Sequence, residues 1–183
     1  MRRILVVMTA LLPFAAFAAD KFTLESAEVK PNLKIADAQV YKGFGCAGGN
    51  ISPTLTWKDP PAGTKSFAVT VYDPDAPTGS GWWHWVVFNL PADTRTLLAG
   101  AGNPASGKLP KGAVQSLTDY GVPGYGGPCP PKSDRSHRYQ FTVHALEVEK
   151  LDLDEKAMPA MVGFMITSNR IDKATFTSTY SRK

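Results

Sequence analysis

The sequence predicts a mainly β fold, a sandwich or barrel of mostly antiparallel strands, on three observations. Runs rich in β-branched and aromatic residues recur over 22–28, 55–57, 66–72, 84–89, 137–145 and 175–180. The 15 prolines and 16 glycines fall mainly between these runs, where they shape turns rather than helices. Only residues 157–166 break the pattern: Ala157, Met161, Phe164 and Met165 recur at helical spacing, so one helix is predicted there, packed on the sheet. The expectation is therefore an antiparallel β-sandwich with one or two short helices.

In chain order, Met1-Arg2-Arg3 precedes an apolar run over 4–17, and Ala16 and Ala18 are small residues spaced as signal peptidase requires. Residues 1–18 thus read as a secretory signal peptide, and residues 19–183 as a single domain. Pro13 interrupts a run already short for a bilayer, so no transmembrane anchor is expected. Three loops then stand out, over 43–53, 74–81 and 121–135, each dense in Gly, Pro, Asn or Asp. A strand over 173–180 closes the chain.

Charge and cysteine usage narrow the function. The formal net charge of +4 includes Arg2 and Arg3, and the remaining basic residues, such as Lys30, Lys65, Arg95 and Lys173, are scattered. No stripe for nucleic acid and no polybasic membrane patch results. Export places Cys46 and Cys129, the two cysteines, in an oxidising compartment, where one disulfide between loops is expected. The competing reading makes Cys129 a nucleophile with His137 as its base.

Polar residues at the ends of two apolar runs mark a candidate site. Asp73 shares strand parity with Phe67, Val69 and Val71; His84 shares it with Val86, Phe88 and Leu90; His137 and Tyr139 share it with Phe141 and Val143. His144 has the opposite parity and is set aside. Asp73 then orients two imidazoles, His84 and His137, that in their cationic forms would donate to a phosphate or carboxylate oxygen. Gly126-Gly127 and the prolines Pro128, Pro130 and Pro131 would form a rigid loop beside them. Trp82 is a rim candidate, while Trp83 and Trp85 are expected to pack on another layer. Asp73, His84 and His137 also make a conceivable metal set, but no His-x-x-x-His or Cys-x-x-Cys pair occurs and no metal is assigned. Gly-x-Ser-x-Gly is absent, so no catalytic residue is assigned either.

At Asp73-Pro74-Asp75-Ala76-Pro77, at Gly79-Ser80-Gly81-Trp82-Trp83-His84-Trp85 and at His137-Arg138-Tyr139, the chain resembles the phosphatidylethanolamine-binding protein family, also called Raf kinase inhibitor-like proteins. Its bacterial YbhB/YbcL branch is the nearest likeness, and the leader and cysteines make the exported YbcL type most similar. The resemblance implies a β-sandwich with a small pocket for anions such as phosphate, phosphoethanolamine or acetate. By position it carries Asp73, Asp75, Pro77, Trp82, His84, Pro130, His137 and Tyr139 onto the pocket motifs. It implies no cofactor. Cys129 departs from the glycine common in animal members, and no amphipathic C-terminal helix follows Tyr180; bacterial relatives suggest a second subunit, a homodimer, as the cover.

The function expected is a periplasmic or secreted, non-enzymatic binding or regulatory protein whose pocket takes a phospholipid head group or a phosphorylated partner. The alternatives are a weak phosphate or ester hydrolase with His84 or His137 as general base, and an inhibitor of a protease or another envelope or host protein. The protein partner is unknown.

Overall fold

The computed structural model describes residues 21–182, so the predicted leader over 1–18 lies outside the described residues. The elements follow as β1 (Thr23–Glu25), β2 (Lys42–Gly43), β3 (Cys46–Ala47), β4 (Leu55–Lys58), β5 (Ser66–Asp73), β6 (Trp82–Pro91), β7 (Thr96–Leu97), β8 (Val114–Gln115), β9 (His137–Leu146), α1 (Pro159–Ser168) and β10 (Arg170–Tyr180). The strands pair antiparallel. A five-stranded sheet in the order β10-β9-β5-β6-β8 faces a three-stranded sheet, β1-β4-β7, and β2-β3 form a separate hairpin. The predicted sandwich is thus present, with one α-helix and a 3₁₀ turn at Pro104–Ser106.

The centre of the large sheet follows from composition. In β5, Ser-Phe-Ala-Val-Thr-Val-Tyr-Asp, residues 66–71 and Asp73 are buried, as a strand covered on both faces must be. Its alternate side chains Phe67, Val69 and Val71 meet Trp57, Trp85, Phe141 and Val143 in the core between the sheets. Ala68, on the other face, joins Val86, Phe88, Leu146, Val162 and Ile166 in a second cluster beneath α1. Pro74 ends β5 because it has no N–H to continue the ladder.

Helix α1 exists where the sequence predicted it, but of the four residues read at helical spacing only Ala157 and Met165 pack against the sheet-side cluster. Pro159, Val162 and Ile166 are buried, whereas Met158, Met161 and Phe164 are exposed. Apolar residues surround this helix on all sides, so spacing alone marks no single inward face; its packing over Ala68, Val86 and Phe88 selects one.

The parity argument for β6 also needs correction. Val71 pairs with Trp85 and Tyr72 with Trp83, which leaves His84 as an extra, unpaired residue in a bulge. The bulge breaks alternation, so Trp83 packs with the cluster under α1 and Trp85 with the inter-sheet core. Val86 and Phe88, the residues whose parity was to place His84, lie on the helix side instead. His84 reaches the Asp73 face through the bulge. A second irregularity, at Asn89 with φ of 57°, turns Leu90 back toward the core.

Candidate functional site

Three loops meet at one end of the large sheet. The turn over 74–81 leaves Asp73 at the end of β5 and returns into β6. Gly81, with φ of 71°, makes this possible, because a Cβ there would collide with the Tyr72 ring and lie 2.6 Å from the Asp73 carbonyl oxygen. The loop over 124–136 runs past it, and the β2–β3 hairpin closes the third side. Cys46 and Cys129 are joined in a disulfide, Cα atoms 6.1 Å apart, which ties the hairpin to that loop. The expected disulfide is present, so Cys129 carries no free thiol.

The loop lies so close to its neighbours that only glycine fits. A Cβ on Gly127 would run into the backbone of Gln39 and Val40, and one on Gly126 would enter the Tyr120 ring. The Asn50 side chain accepts from the Gly127 N–H at 2.8 Å and donates to the Tyr125 carbonyl at 3.1 Å. The prolines on either side of Cys129 have no N–H, so Cys129 supplies the one amide of residues 128–131, and it makes no hydrogen bond among the described residues.

Between these loops is a cavity of about 210 Å³. That is smaller than the roughly 300–1,000 Å³ typical for drug-sized ligands, so it suits a head group rather than a whole lipid. Of the predicted site residues, Asp73, Pro77, Trp82, His84, Pro130, His137 and Tyr139 line it. Asp75 does not. Its carboxylate accepts from the Arg138 N–H at 2.9 Å, from Arg138 Nε and Nη2 at 2.8 Å each, and from Arg135 at 2.9 Å. The Arg138 guanidinium holds the Asp75 carboxyl down to about 2. The two acids of Asp-Pro-Asp thus face consecutive residues of β9, Asp73 inward to His137 and Asp75 outward to Arg138, and the double rung fixes the loop on the strand.

The buried rung is paired within the protein. Asp73 Oδ1 accepts from the Asp75 N–H at 2.8 Å, and Oδ2 pairs with His137 Nδ1 at 2.7 Å, both side chains almost wholly buried. His137 Nε2 meets Asp134 Oδ2 at 3.1 Å. Neither ring nitrogen of His137 is free for a ligand. Asp134 was missed in the sequence, although its i−3 position is a local signal that could have found it.

His84 differs. Gly126 presents a carbonyl, which can only accept, 2.7 Å from Nδ1, so Nδ1 carries the proton. Nε2 makes no hydrogen bond among the described residues, and the ring lines the cavity. Burial pushes the ring down to about 4, against the opposing pull of the Gly126 carbonyl and the Asp73 charge. It is neutral at pH 7. The expectation of a cationic imidazole is corrected at His84, while at His137 both ring nitrogens are already engaged by carboxylates.

Tyr139 is a further polar residue of the lining. Its residue is 1% exposed, and its buried hydroxyl makes no hydrogen bond of standard geometry, although the Asp73 carboxylate lies near enough to act on it. Burial, then the Asp73 charge, pushes its ionisation upward, so the hydroxyl keeps its proton. Its ring stands edge-on to His84 at 5.1 Å. The rim is aromatic: Trp82 and Phe44 flank Tyr120, with centroids 5.4 and 5.8 Å away, and Phe44 is 68% exposed at the hairpin tip. Tyr120 and Phe44 escaped sequence reading because only the folding of distant segments brings them here. His144 lies on the sheet's other face, Nε2 3.0 Å from the Thr70 hydroxyl. Among the described residues no cluster of His, Cys, Asp and Glu could hold a metal ion.

A β-sandwich with a small, aromatic-rimmed pocket at one end of its larger sheet defines a class of binding protein, and comparison with known proteins makes the class specific. The phosphatidylethanolamine-binding protein family pattern matches residues 21–181. Protein YbcL of Escherichia coli (strain K12) is 49% identical over 180 residues, covering 97% of this chain and 98% of YbcL. Protein YbhB of the same organism is 52% identical over 158 residues, covering 86% of this chain and 99% of YbhB. The crystal structure of E. coli YbcL superposes with a TM-score of 0.88 at 52% identity, over 90% of this chain and all of that one. The chain belongs to the phosphatidylethanolamine-binding protein family.

Proposed function

We propose that this is an exported, non-enzymatic binding protein whose pocket recognises a small oxyanion, a phosphate or carboxylate head, on a lipid or on a phosphorylated partner. The observation that carries the reading is the Tyr139 hydroxyl. A buried donor without a hydrogen bond of standard geometry costs on the order of 1–3 kcal/mol, and a bound oxyanion would satisfy it. Its position in the lining of a cavity of head-group size, beside the ring of His84, supports the reading. The prolines around Cys129 and the Asp75–Arg138 rung hold the pocket in shape before the ligand arrives, which lowers the ordering cost of binding.

Export rests on the charged and apolar leader together with the Cys46–Cys129 disulfide, which persists in oxidising compartments. No helix among the described residues is long and apolar enough to cross a membrane. A second subunit over the exposed Phe44 and the rim is the cover proposed for the pocket.

The test is an NMR titration of the 19–183 chain with phosphate, phosphoethanolamine and acetate, beside Tyr139→Phe. Selective shifts at Asp73, His84 and Tyr139 that weaken about tenfold in the variant are expected. Absence of shifts with all three compounds sinks the reading.

A further inference from the structure

Helix α1 carries a surface that the fold leaves uncovered, and we infer that it docks a basic amphipathic helix of another protein. Residues 159–168, Pro-Ala-Met-Val-Gly-Phe-Met-Ile-Thr-Ser, include no charged side chain, and a helix apolar all round is ordinarily buried on every side. Here only one side is covered. Pro159, Val162 and Ile166 are buried toward the sheet, whereas Met158, Met161 and Phe164 are 64%, 52% and 65% exposed. None of these three lines the pocket at the end of the large sheet. A groove of about 590 Å³ lies beside them, with Leu153, Ala157, Met158 and Met161 in its lining. Contiguous apolar surface of this kind marks a contact site, and methionine adapts its shape to a partner.

Charge and area select the occupant. Asp152 and Asp154 line the same groove, together with Lys150 and Lys156. Over 147–156 the chain carries five carboxylates against two ammonium groups, an acidic excess of three in a protein whose formal charge is +4. None of the five makes a salt bridge among the described residues. Their field attracts a cation. It repels an anionic bilayer, and a two-fold dimer through this face would set the acidic rim against itself. The area is also small for a second copy: the three exposed side chains offer on the order of 400 Å², about half of the 800 Å² per partner of a stable interface. That suits a short segment. The segment is helical rather than extended, because α1 uses its backbone N–H and C=O groups internally and leaves only side-chain ridges for a partner to fit. Apolar residues of the partner at helical spacing would enter between Met161 and Phe164, while lysine or arginine beside them meets Asp152 and Asp154.

Two synthetic peptides of about 15 residues, one of leucine and lysine and one of leucine and glutamate in the same amphipathic pattern, test the assignment. Titrated into the 19–183 chain at low salt, the lysine peptide is expected to bind at least about tenfold more tightly than the glutamate peptide and to weaken as salt is raised. In NMR it should shift the methyl signals of Met158 and Met161 and leave the Cys129 amide in the pocket wall unmoved. Phe164→Ala, on the exposed side and expected to melt as the wild type does, should weaken the lysine peptide about tenfold. Asp152→Asn combined with Asp154→Asn should remove most of the preference for lysine over glutamate. Equal affinity for the two peptides, full affinity in Phe164→Ala, shifts confined to residues away from α1, or no binding of either peptide each overturn the inference. The remaining occupants have their own readouts. A dimer in sedimentation that Phe164→Ala dissociates assigns the face to a second copy, and shifts of the same methyl groups with phosphatidylcholine vesicles assign it to a bilayer; either result overturns the inference.

Discussion

On the proposed reading, the contributions of Tyr139 to stability and to binding have opposite signs. Its buried hydroxyl makes no hydrogen bond of standard geometry, so Tyr139→Phe removes a poorly satisfied group and is expected to melt at or above the wild-type temperature while losing oxyanion affinity. Calorimetric melting and titration on the same sample check both halves. The buried histidines set the acid limit. His84 is held down to about 4 and His144 to about 3, from an ordinary 6.5, each first by burial. A base whose folded value is lowered binds more protons when unfolded, so stability is full above pH 6.5 and falls as pH drops toward 4 and 3. The loss is on the order of 3 kcal/mol for each ring by pH 4. Asp75 adds a further loss between its ordinary 3.8 and about 2. Urea unfolding at pH 7, 5.5 and 4.5 should show the decline, and His144→Gln should flatten it, because His144 lies away from the pocket.

At the scale of the element, the outcome depends on what packs against each segment. Helix α1 is apolar all round, so its inward face is set by the surface beneath it. Val162→Ala is expected to cost about 2 kcal/mol, whereas Phe164→Ala, on the exposed side, should change stability by less than about 0.5 kcal/mol; chemical denaturation of the two variants checks the assignment. The loop beneath Tyr120 is set by backbone approach instead. Gly127→Ala forces the chain away from Gln39 and Val40, and the expected result is a lower melting temperature together with altered amide shifts at Gly126 and Cys129.

For the whole molecule, the Cys46–Cys129 bridge joins two segments 83 residues apart and ends in the pocket wall. Replacing both cysteines by alanine removes a cross-link worth about 4 kcal/mol in the chain-entropy account, a fall of roughly 10 °C in melting temperature for a chain this size. Because the hairpin carries Phe44 to the rim, oxyanion affinity should fall as well. Retention of full affinity in the double variant would show that the hairpin is held by its aromatic contacts with Tyr41 and Tyr120 instead.

The sequence by itself determined the longer strands, though not the two-residue strands β2, β3, β7 and β8, because runs such as 66–72 and 137–145 carry residues that fit a pleated, covered surface between turn-forming prolines and glycines. It also determined most of the pocket's membership: seven of the eight predicted ligand-binding residues line the cavity, since Asp73, His84, His137 and Tyr139 lie near the ends of apolar rows or in family motifs. Tertiary structure alone decided how those residues are used. The bulge that turns His84 inward exists because β6 must keep pairing with β5 on both sides of one extra residue, which alternation along a single strand cannot reveal. The Gly126 carbonyl that fixes the ring's proton, and the burial that keeps the ring neutral, come from a loop 42 residues away. Charge state and hydrogen-bond direction depend on what surrounds a group, and those surroundings exist only once distant segments have met.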